Sequence, residues 1–130
     1  MTEYNTIKSP KDVKLFDRVT NGLHDGYITS IEYKHNGINA NGGMIEFDYS
    51  KITLKLCIWV SSLKEHPTVE IIFRDIEDCQ LCSIGSDFLD CYFTFQENGY
   101  IIWSDDCGTD RQSLRESTYV IAGSIYWRIL

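Results

Sequence analysis

Residues 52–60, Ile52-Thr53-Leu54-Lys55-Leu56-Cys57-Ile58-Trp59-Val60, place an apolar side chain at every second position. In an extended chain successive side chains point to opposite faces, so Ile52, Leu54, Leu56, Ile58 and Val60 share one face, and that face must enter a core. The same period of two recurs from Tyr27 onward and predicts strands over 27–35, 44–49, 68–75, 76–84, 90–96, 100–104 and 119–129. Turn chemistry separates them: Asn36-Gly37, Asn41-Gly42-Gly43, His66-Pro67 and Asn98-Gly99 are breakers, and Glu97-Asn98-Gly99 between two alternating runs is a hairpin signal.

A helical period occurs near the start. Ser9 suits an N-cap, Pro10 the first turn, and Val13, Leu15, Phe16 and Val19 fall at helical spacing before Asn21-Gly22 ends the run. Many strands with no helices alternating between them predict antiparallel pairing in a mainly meander order. The fold class is mostly β: an antiparallel sandwich or a partly open barrel with one short N-terminal helix. The 130 residues suit one domain, and no linker, low-complexity tract or repeat divides them. The final run, Ser124 to Leu130, is apolar almost to its last residue and predicts a strand paired inside the sheet.

Charge narrows the function. With 12 Lys and Arg against 19 Asp and Glu, the formal net charge is −7. Phosphate backbones and anionic membranes repel such a chain, which argues against nucleic-acid and membrane-surface partners; the acidity serves solubility first, and it would also speed encounter with a basic protein. No apolar stretch reaches the length needed to span a bilayer, because Lys55, Glu70 and Arg74 interrupt the longest ones. Met1 to Thr6 lack the basic start and apolar run of a secretion signal. Cys57, Cys79, Cys82, Cys91 and Cys107 form an odd set scattered through apolar segments, as expected of free thiols in a cytoplasmic protein.

Four constellations bear on chemistry. Cys79-Gln80-Leu81-Cys82 has the spacing of a zinc or redox pair, but it lies in a predicted strand, where residues three apart point to opposite faces. His24-Asp25 precedes the first long strand, and Asp105, Asp106 and Asp110 surround Gly108. Together these five make a candidate site for a small ligand or cation at one mouth of a barrel, although the loop lacks the bidentate Glu of a calcium loop. Asp75, Glu77 and Asp78 cluster, as do Asp87 and Asp90, and these are candidate contacts for a basic partner. Trp59 joins that set as an aromatic opposite the apolar face of its strand; Cys57 on the same side favours a strand buried on both faces. Walker, GxGxxG, HExxH and GxSxG signatures are absent, so no catalytic residue, metal or cofactor is assigned.

Leu23-His24-Asp25-Gly26-Tyr27-Ile28 opening a strand, Val69-Glu70-Ile71-Ile72-Phe73-Arg74-Asp75-Ile76 in mid-chain and the hydrophobic terminal strand together resemble small bacterial β domains. Some of those are similar to the immunity proteins of contact-dependent and polymorphic toxin systems. The resemblance implies a cytoplasmic, non-catalytic protein whose acidic surface covers a basic toxin domain; it assigns no site residue, and whether the chain is a monomer or a homodimer stays open. The leading expectation is a protein-interaction module of this type, and the alternative is a small-ligand or cation-binding barrel.

Overall fold

A computed structural model describes residues 3–88 and 90–130. The elements run β1 (Asn5–Ile7), α1 (Pro10–Thr20), β2 (Gly26–His35), β3 (Ile38–Asn41), β4 (Met44–Phe47), β5 (Ile52–Val60), β6 (Thr68–Gln80), β7 (Tyr92–Phe95), β8 (Ile101–Ser104) and β9 (Tyr119–Ile129). The main sheet has the order β2-β5-β6-β9-β8-β7, with β1 on the C-terminal half of β9, and its ladders are antiparallel. The fold is thus mostly β with one short helix, as the alternation predicts.

The sheet curls without closing into a barrel. The β6–β7 connection reaches the start of β2 through a bridge between Gly26 and Phe88, where the Phe88 N–H donates to the Gly26 carbonyl at 3.0 Å. A Cβ on Gly26 would lie 2.7 Å from the Leu23 carbonyl oxygen and 2.9 Å from Ile58, so this approach requires glycine. The inner face collects Leu54, Leu56 and Ile58 from β5, Val69, Ile71 and Phe73 from β6, and Ile125 and Trp127 from β9. Helix α1 covers it, with the Phe16 ring set edge-on to Phe93 at 5.1 Å and to Trp127 at 5.2 Å. The Asp12 carboxylate accepts the Lys8 and Ser9 backbone N–H groups at 2.8 and 3.2 Å, and Asn21 ends the helix in the left-handed region at φ 57°.

Meander order holds for β5-β6 and for β7-β8-β9, but β9 inserts beside β6. The run Tyr119-Val120-Ile121-Ala122 explains why. Val120 and Ala122 enter the main core, while Tyr119 and Ile121 pack with Ile102 and Leu114 in a second cluster beneath the β8–β9 loop. A strand buried on both faces belongs at the centre of a sheet. Two short strands are not predicted: β1, whose three residues show no alternation, and β3, whose alternation runs for only four residues between two breakers.

Among the described residues no layer covers the outer face of β2, β5, β6 and β9, and Trp59 is 38% exposed there, between Tyr27 at 6.0 Å and His66 at 5.3 Å. The two-sided core expected around Trp59 and Cys57 does not form, because α1 lies on the inner face. The outer-face residues shelter one another instead. Glu70 accepts from Arg128 Nε at 3.1 Å and from the Tyr4 hydroxyl, and the Arg128 guanidinium lies 4.4 Å above the Tyr4 ring.

The segments predicted as separate strands at 68–75 and 76–84 form one bulged strand that ends at Gln80, so 81–84, Cys82 included, lie in the connection to β7. Asp75 takes a positive φ of 57°, and the register against β9 shifts between Ile76 and Asp78. Gly123 faces this irregularity, and a Cβ there would fall 2.5 Å from the Asp75 carboxylate. Gly123→Ala should therefore destabilise the protein by about 1–3 kcal/mol. Urea denaturation of G123A, D75G and the double variant checks this: the alanine should cost clearly less in the D75G background, and equal costs in both would refute the steric coupling.

Candidate functional site

The bulge determines which side chains meet at the Ile52 end of β5. In an unbroken strand Glu77 and Asp78 would point to opposite faces. Here both reach Arg111, with Asp78 Oδ2 at 3.4 Å from Nε and Glu77 Oε2 at 3.8 Å from a terminal nitrogen. Asp75 accepts the Tyr100 hydroxyl at 3.1 Å, and Asp78 accepts the Tyr119 hydroxyl at 2.8 Å. Asp75, Glu77 and Asp78 line an open cleft of about 510 Å³ with Tyr33, Tyr49 and Tyr100. Three carboxylates against one guanidinium leave this corner negative. Burial, followed by donation to a carboxylate, raises the phenol pKa of both Tyr100 and Tyr119.

Above the cleft, β3 and β4 project as a two-stranded ribbon. Ile38 pairs with Phe47 and Ala40 with Ile45, so these four share one face, while Asn39 and Glu46 occupy the other. Ile38, Ile45 and Phe47 are 54–63% exposed, an unusual state for an apolar ribbon face. Phe47 stacks on Tyr49 with centroids 6.1 Å apart, and the His35 ring lies near both, which makes the ribbon continuous with the cleft wall.

The remaining partner candidates lie elsewhere. Gly26 pairs with Val60 at one end of β5, whereas Arg74, next to Asp75, pairs with Thr53 at the other. Trp59 belongs to the Val60 end, on the outer face. Asp87 and Asp90 lie on the β6–β7 connection, and Asp90 Oδ1 is 3.4 Å from His24 Nδ1. His24 Nε2 is also 3.6 Å from Asp25 Oδ2. Thus Asp75, Glu77 and Asp78 meet each other, while Asp87, Asp90 and Trp59 do not join them.

The alternative set divides as well. Asp105 accepts the Thr118 N–H at 3.0 Å, Asp106 the Cys107 N–H at 2.7 Å and Asp110 the Ser113 N–H at 2.8 Å. These carboxylates shape the β8–β9 loop through its own backbone. Among the described residues no group of three His, Cys, Asp or Glu side chains could hold a metal ion. The five cysteines are free thiols; Cys91 is buried, and burial pushes its pKa far up, which keeps the thiol protonated and unreactive.

Sequence reasoning located the carboxylates but missed Tyr33, Tyr49 and Tyr100. The break in alternation at Arg74-Asp75-Ile76-Glu77-Asp78 was the available signal, since it marks the bulge that turns these acids toward the tyrosines.

The outer face carries a second charged cluster. Glu32 bridges Lys34 at 2.8 Å and Lys55 at 3.0 Å, and hydrogen bonds from those two ammonium groups hold its carboxyl down to about 2. A depressed carboxyl pKa gives a stabilising contribution that is complete above the ordinary carboxylate range and is lost as pH falls toward about 2. In a carboxyl-detected NMR titration, Glu32 should titrate well below the ordinary carboxylate range and return toward it in the K34M/K55M variant. An unchanged Glu32 midpoint in that variant would rule out the lysines as the cause. Compared with known proteins, the chain matches no family model, no curated protein and no solved structure.

Proposed function

We propose that this chain is a non-enzymatic interaction protein of the immunity type, whose acidic cleft receives a Lys- or Arg-bearing segment of a basic partner domain. The observation that carries this reading is the convergence of Asp75, Glu77 and Asp78 with Tyr33, Tyr49 and Tyr100 in one open cleft. Carboxylates attract a cationic head group, and tyrosine rings accept both its charge, through their π faces, and the methylene stem beneath it. The uncovered apolar face of the β3–β4 ribbon adjoins the cleft through Phe47 and Tyr49 and supplies the hydrophobic part of the contact. Charged recognition beside an apolar anchor is the composition of a specific protein interface.

An array of Lys- and Arg-rich peptides with acidic controls, read by NMR on the tyrosine ring resonances, tests this proposal. Basic peptides should shift Tyr33, Tyr49 and Tyr100, the affinity should fall as salt rises, and the D75N/E77Q/D78N variant should bind at least about tenfold more weakly. Binding that the triple variant retains in full, or peptide shifts confined to other surfaces, would overturn the assignment.

A further inference from the structure

Strand β2 ends the main sheet, and its ladder is with β5 alone. The Gly26 bridge to Phe88 occupies only the first residue of its other edge. From Tyr27 to His35, that edge has no strand partner among the described residues. Ile31 and Tyr33, 40% and 55% exposed, continue the inner apolar face beyond Leu56 and Leu54, their cross-strand neighbours. A long open edge beside uncovered apolar side chains is a template for another strand.

Charges on β2 select which strand fits. The register against β5 shifts at Thr29, and Asn36 still donates to the Lys51 carbonyl, so the regular stretch runs from Ser30 to Asn36 with Tyr33 at its midpoint. Glu32 and Lys34 flank that midpoint on the outer face. In an antiparallel pairing of two β2 strands centred on Tyr33, each Glu32 stands opposite the partner's Lys34, with opposed side chains at contact distance. Centring the pair on Glu32 would oppose two carboxylates, and centring it on Lys34 would oppose two ammonium groups. A centre between residues would set inner-face side chains of one copy beside outer-face side chains of the other.

We infer that β2 is a homodimer edge: two copies of this chain pair their β2 strands about a two-fold axis through Tyr33, with reciprocal Glu32–Lys34 contacts. Such an interface is isologous, as closed dimers require, and it extends the sheet across both copies. The Tyr33 rings meet at the axis on the inner face, and Ile31 lies opposite the partner's His35. The dimer axis and the acidic cleft share Tyr33, but the pairing rests on the strand edge and its charges alone, and E32K and K34E change no residue of the cleft. An edge contact of this length is modest beside a standard interface, so the dimer is expected to dissociate in the micromolar range.

Sedimentation equilibrium of the full chain over a concentration series provides the test. The wild type should show a monomer–dimer equilibrium, and E32K and K34E should each weaken it by about tenfold or more, because each opposes like charges twice. Glu32 and Lys34 side chains are 40% and 60% exposed, and circular dichroism checks that both variants keep the sheet. An equimolar mixture of E32K with K34E should dimerise again, since every cross-strand pair then joins opposite charges. A wild type that stays monomeric, single variants that dimerise undiminished, or a mixture that stays monomeric would each overturn the inference.

Discussion

The position of β9 is the constraint on which the rest of the molecule depends. It pairs with β6 along one edge and with β8 and then β1 along the other, and it is buried on both faces through its N-terminal half. The pairings with β6 and β1 join segments far apart in sequence, so the sheet forms only when the end of the chain returns to its middle and its start. Helix α1 depends on the same strand, because Phe16 rests on Trp127. The covered inner face and the second cluster under the β8–β9 loop both follow from it.

The bulge in β6 is the local departure that converts a structural strand into a candidate site. A straight strand would divide the acidic side chains between the core face and the outer face, at a high desolvation cost for whichever pointed inward. The positive φ of Asp75 and the register shift after Ile76 turn Glu77 and Asp78 toward Arg111 and leave Asp75 to Tyr100. Gly123 makes room on the neighbouring strand. Local backbone irregularity stabilised by its surroundings is common where a protein presents functional groups.

The sequence made the strands legible where one face is buried and the other is not, because period two then reports burial directly. Residues 52–60 coincide with β5 on that ground, residues 119–129 coincide with β9 as a largely apolar run buried on both faces at its start, and Ser9, Pro10 and Asn21 bound the helix as their chemistry dictates. What escaped has identifiable causes. The three residues of β1 are too few for a period, β3 alternates over only four residues between two breakers, and Asp75 reads as a strand end because its left-handed backbone interrupts the pattern without breaking the pairing. For the site, the acids were visible as a cluster, but their tyrosine neighbours come from β2, the turn before β5 and the start of β8. Only the strand order brings those together.

Burial, rather than local propensity, separates the β3–β4 ribbon from the rest of the chain. Its residues alternate as a sheet ribbon should and its turn glycines take the positive φ the hairpin needs, yet the apolar face it builds is left in water. A two-stranded ribbon without packing is marginally stable by itself; this one is tied to the sheet through Asn36, Gly37 and Asp48, whose backbone bonds continue the β2–β5 hairpin. The arrangement holds exposed Ile38, Ile45 and Phe47 in an ordered form, which lowers the entropy lost when a partner covers them. A net charge of −7 opposes indiscriminate association of the same surface. For the proposed function, ordered apolar side chains beside an acidic cleft suit a partner of opposite charge, and for the proposed dimer the alternating charges of β2 offset at that edge the repulsion between two chains of net charge −7.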